Sequence, residues 1–126
     1  NKYLDLFVDW LRACFLYRSK VNDIVKIIEQ EIVKLGREEQ KQFLSFSLNV
    51  FENSFLIKMG LIKEANLLEG CDEKFKNNFP SFITEKNIDK IYKEIDNSIL
   101  HIERNGNAKM IFLDLSIQLG FLLMNK

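Results

Sequence analysis

Helix breakers are almost absent from this chain. One proline, Pro80, and five glycines, Gly36, Gly60, Gly70, Gly106 and Gly120, punctuate its 126 residues. Between them the apolar residues recur at intervals of three and four, the period of a helix that buries one face. Alternation of period two never runs long enough to specify a sheet. The pattern constrains the chain to an all-α fold, a bundle of about five main helices with one short extra helix.

The first segment, from about Lys2 to Tyr17, places Leu4, Phe7, Val8, Leu11 and Phe15 on one stripe, and Ser19 and Asn22 mark a turn. The second runs to about Leu35 with Val21, Ile24, Val25, Ile28 and Ile32 in register. Gly36 suits its C-terminal cap. The third opens on Arg37-Glu38-Glu39-Gln40, acidic where a helix N-terminus favours negative charge. It continues through Phe43, Leu44, Leu48, Phe51 and Phe55 towards Gly60. Residues 60–83 are less regular, with a short helix expected from about Cys71 to Asn77 and a break at Phe79-Pro80. Thr84 is the expected N-cap of the next helix, which carries Ile88, Ile91, Tyr92, Ile95, Ile99 and Ile102. Asn105-Gly106-Asn107 is a structural turn, since Asn and Gly tolerate left-handed backbone angles. The last helix, about Ala108 to Met124, carries Ile111, Phe112, Leu115, Leu119 and Leu122.

Eleven phenylalanines and a 47% hydrophobic content supply a real core, and the length suits one domain spanning residues 1–126. Lysine plus arginine equals aspartate plus glutamate at 18 each. A protein whose main work is gripping phosphates usually carries a basic excess, so nucleic-acid contact is expected to lie elsewhere. Cys14 and Cys71 are far apart in no C-x-x-C arrangement and read as reduced thiols. No apolar run approaches the ~20 residues of a membrane span, and the opening Asn1-Lys2-Tyr3 is not a signal peptide. The expected location is cytoplasmic. A start on Asn1 rather than Met suggests a segment of a longer protein.

The chemistry-bearing patterns point away from an enzyme. Neither a G-x-x-x-x-G-K-[ST] loop nor a G-x-G-x-x-G fingerprint occurs, so no nucleotide cofactor is expected. His101 is the single histidine, and Glu103, two residues on, is at the wrong spacing to share its helical face; no metal site is expected. Pairing of either cysteine with His101 for nucleophilic catalysis finds no support in their unrelated contexts, and no catalytic residue is assigned. Carboxylates such as Glu29, Glu31, Glu38 and Glu39, interleaved with Lys26 and Lys34, read as solvated helix surface. His101, Arg104 and Lys109 form a candidate basic edge. The simpler reading, preferred here, is that His101 and Arg104 complement the C-terminal end of their helix. The phenylalanines of the third segment, Phe43, Phe46, Phe51 and Phe55, read as core rather than as a platform for stacking bases. Phe46, Phe121 and Leu123 lie beside the stripes of their helices and are the candidate subunit-interface residues.

Three stretches, in series, resemble the C-terminal region of delta-prime-type subunits of bacterial DNA polymerase III clamp loaders, in the form seen in Bacteroidetes. The first is Gly36-Arg37-Glu38-Glu39-Gln40-Lys41-Gln42-Phe43-Leu44 with Glu52-Asn53-Ser54-Phe55. The second is Phe79-Pro80-Ser81-Phe82-Ile83-Thr84-Glu85-Lys86-Asn87. The third is His101-Ile102-Glu103-Arg104-Asn105-Gly106-Asn107-Ala108-Lys109-Met110 running into Phe112-Leu113-Asp114-Leu115. Together they span most of the chain in the expected order. Ala108 departs from the related pattern, which often has proline at the start of the last helix; proline there only pre-sets the first turn.

The resemblance implies a collar domain: a helical segment that packs beside its neighbours to hold a five-subunit clamp loader together. Its partners would be the delta and gamma/tau subunits. N-terminal ATPase-type domains would make the contacts with nucleotide, sliding clamp and DNA, and the complete protein would belong to the DNA polymerase III holoenzyme, a DNA-directed DNA polymerase. The features that distinguish delta-prime from delta and gamma/tau lie in that ATPase region. A second class of reading stands beside it, a helical adaptor or regulatory domain that binds a single protein or peptide partner outside replication. Separate apolar faces favour the collar, and a single groove favours the adaptor.

Overall fold

Phe7 and Trp10 sit three residues apart on the first helix, α1 (Leu4–Phe15), and both are fully buried. The other helices assemble around this pair. The computed structural model describes residues 1–62 and 68–125, which contain six α-helices and no strand. After α1 come α2 (Val21–Ile27), α3 (Arg37–Lys58), α4 (Glu73–Asn78), α5 (Ile88–Glu103) and α6 (Ala108–Met124). A π-helical turn, Ile28–Ile32, and a 3-10 turn, Val33–Leu35, prolong α2, and a 3-10 turn, Phe79–Phe82, prolongs α4. The all-α bundle expected from the periodicity is therefore the fold. Of the irregular stretch 60–83, residues 63–67 lie outside the described residues.

Aromatic rings from four elements meet the face of α1. Phe7 packs nearly edge-on against Phe46 and Phe51 of α3, both at 5.9 Å between centroids, and against Phe75 and Phe79 at 6.4 and 5.8 Å. Trp10 lies 5.3 Å from Phe43 of α3 and 6.2 Å from Phe112 of α6. Edge-to-face pairs of this kind contribute roughly 0.5–1.5 kcal/mol each beyond their area burial. Burying Trp10 also requires a partner for its indole N–H, which donates to Ser116 Oγ of α6 at 2.8 Å. The Ser116 hydroxyl in turn donates to the Phe112 carbonyl at 2.6 Å. One hydroxyl thus satisfies the only polar atom of the largest core side chain.

The helix boundaries follow the expected punctuation, with three physical differences. The second segment is not a uniform α-helix. Ile24, Ile28 and Ile32 are all buried, and a spacing of four drifts around an α-helix of 3.6 residues per turn. The wider π turn, closed by Val33 N–H to the Ile28 carbonyl, brings Ile32 back to the core, while Val21 falls outside it at 41% exposure. The turn leaves carbonyls for another donor, and buried Gln40 supplies it, its amide donating to the Ile32 and Val33 oxygens at 3.3 Å.

The second difference concerns α4, which starts at Glu73 rather than Cys71, because the Asp72 carboxylate accepts the Lys74 N–H at 3.1 Å and caps the helix. The third concerns Thr84, whose hydroxyl accepts from the Lys86 and Asn87 N–H groups and so closes a turn ahead of α5, while Asn87 is the N-cap position. Asn87 is 97% shielded and ties three elements together, donating to the Phe82 and Leu122 carbonyls at 2.8 and 3.2 Å and accepting from Thr84 N–H.

α3, α5 and α6 pack as successive neighbours, and α1 closes the bundle against α6. The approach of α1 to α6 depends on Gly120, where a Cβ would run into the Cys14 carbonyl oxygen and the Tyr17 ring. Gly120→Ala is expected to cost about 1–3 kcal/mol, the range for overpacking. Ser116→Ala, which strands the Trp10 N–H in the core, is expected to cost about 1–3 kcal/mol. Trp10 is the single tryptophan, so urea unfolding followed by its fluorescence measures both losses directly.

Candidate interaction surface

The helical hairpin α5–α6 turns through Asn105-Gly106-Asn107, and each residue has a separate task. Asn105 takes the left-handed conformation, φ 65°, at the position after the helix. Its N–H donates to the Ile102 carbonyl at 3.1 Å and that of Gly106 to the His101 carbonyl at 2.8 Å, the paired bonds of a Schellman ending. Gly106 is required for space: a Cβ there would meet the His101 carbonyl oxygen and the Ile111 side chain, both at 2.8 Å. Asn107 caps α6, its side-chain oxygen accepting the Met110 N–H at 3.0 Å.

Of the candidate basic edge over His101, Arg104 and Lys109, one member is engaged in an ion pair. All three are exposed, but Lys109 is joined to Glu29 at 2.5 Å. At the C-terminal end of α5, Arg37 from the start of α3 donates to the Ile102 and Gly106 carbonyls, both at 3.0 Å. Arg37 thus joins His101, the basic residue in the last turn of α5, and does so across 65 residues of sequence. Nearby, Lys41 bridges Glu38 at 3.0 Å and Glu103 at 3.8 Å.

The candidate interface residues separate sharply. Phe46 is 7% exposed, packed against Phe7 and, at 6.3 Å, against Tyr3. Leu123 is wholly buried. Both are corrected to core residues: α3 and α6 are each covered on more than one side, so a position beside the main stripe still faces protein. Phe121 is 49% exposed and remains a surface residue.

Phe121 has company that the periodicity argument missed. On α6, Phe112, Leu115, Leu119 and Leu123 are buried. Across the helix lie Met110, Leu113, Ile117, Phe121 and Met124, of which Met110, Phe121 and Met124 are exposed at 60%, 49% and 51% and Leu113 and Ile117 half-buried. The intervals of three and four between them place all five on one side at 3.6 residues per turn. α6 is therefore apolar on the face it buries and on the face it does not. A signal was present in the sequence: between Lys109 and the end of α6 the one charged residue is Asp114.

A second apolar feature lies at α1 and α4, where Phe15, Phe75, Phe79 and Phe82 line a groove beside the Arg12–Asp72 ion pair, 2.6 Å long. At the N-terminus Glu39 accepts from Lys2 at 2.6 Å and from the Tyr3 hydroxyl at 3.1 Å, bonds that hold its carboxyl below the usual range. Cys14 and Cys71 are free thiols. Burial pushes the Cys14 thiol far up, hydrogen bonding with Ser116 offsetting only part of the effect, so Cys14 is a packing residue. Among the described residues no three His, Cys, Asp or Glu side chains gather into a metal-binding group, and no described helix is long and apolar enough to cross a membrane.

The assignment of Arg37 is open to direct test. Arg37→Ala is expected to lower the thermal midpoint measurably, while Arg104→Ala stays within about 0.5 kcal/mol of the parent, as for a surface change away from such features. Asn107→Ala, which removes the cap of α6, is expected to cost about 1 kcal/mol. Thermal denaturation followed by circular dichroism reads all three. No protein-family model, curated protein or solved structure matches the chain.

Proposed function

We propose that the chain is a non-catalytic assembly domain, a collar segment of a bacterial clamp loader of the delta-prime type, which acts in the cytoplasm by holding neighbouring subunits through its helix surfaces. The observation that carries the reading is the two-sided apolar character of α6. A helix that is apolar all round is ordinarily buried all round, and here one of its faces is left uncovered. The resemblance described above supplies the identity of the assembly, and its third stretch covers the α5–α6 turn and the first half of this helix. In this reading the outer face of α6 meets a delta or gamma/tau subunit, with Phe121 as an apolar anchor inside a polar rim made by Asp114, Gln118 and Asn125. Nucleotide, clamp and DNA contacts belong to ATPase-type domains outside this segment.

The groove beside α4 favours a second reading, the single-partner adaptor. An apolar slot flanked by an ion pair suits one inserted side chain, and Phe15 and Phe82 pack at its wall at 4.7 Å. Co-purification separates the two. Phe121→Glu is expected to reduce recovery of the other clamp-loader subunits at least tenfold, equivalent to about 1.4 kcal/mol or more, with the helical signal unchanged. Full recovery with Phe121→Glu, together with loss of a different partner in Phe15→Glu, would replace the collar by the adaptor.

A further inference from the structure

We draw no further inference here: the strongest candidate, the groove between α1 and α4 that Phe15, Phe75 and Phe79 line beside the Arg12–Asp72 ion pair, is an unpartnered apolar surface, and nothing in the structure shows what covers it.

Discussion

The fold is organised by the burial of Trp10. An indole in a helical core brings a large apolar surface and one N–H that must be bonded, and the acceptor, Ser116, lies 106 residues away on the last helix. That bond fixes the first and last helices relative to each other in rotation as well as in distance. Phe7, one turn earlier on α1, gathers rings from α3, α4 and the 3-10 turn after it. With α1 held on these two sides, Gly120 has to be bare for α6 to come close enough to Cys14 and Tyr17. The packing of α5 then follows from α3 and α6, both of which it contacts.

This arrangement determines the surface of α6. The helix turns one apolar face to Trp10, Phe43 and the rest of the core, and the rotation set by Ser116 leaves the other pointing outward. Exposed apolar residues scattered singly are normal on a protein surface. Three exposed and two half-buried residues in heptad-like spacing along one helix form a strip instead, with Leu113 also packed against the core. At the start of the helix Lys109 is paired with Glu29, and Asp114 is the one charged residue between Lys109 and the end of α6. A surface of this kind acts by contact, and the proposed collar role assigns that contact to a neighbouring subunit.

The helices were legible because helix formation in this chain is decided locally. The intervals of three and four identified α1, α3, α5 and α6, and the extent of α6, Ala108–Met124, was readable from Asn107 and the apolar run alone. Local chemistry also placed the turn at Asn105-Gly106-Asn107. Departures arose where a non-local demand intervened. The π turn at Ile28–Ile32 answers the need to keep three isoleucines against one core, and Thr84 closes a turn ahead of α5, which leaves the cap position to Asn87, a side chain that also bonds to the backbone of α6.

The candidate site was legible only in part, for the same reason. Phe121 could be singled out as an apolar residue beside its stripe, but so could Phe46 and Leu123, and nothing in a one-dimensional pattern says whether a second side of a helix meets protein or solvent. Arg37 could not be connected to the end of α5, because its partners are carbonyl oxygens 65 and 69 residues away. The sequence by itself determined that the chain is helical, where the α5–α6 turn and the last helix lie, and that some helices carry apolar residues in excess. Only the tertiary structure decided which of those residues the core consumes, since helical period is a property of neighbours along the chain, whereas burial depends on which distant helices arrive beside it.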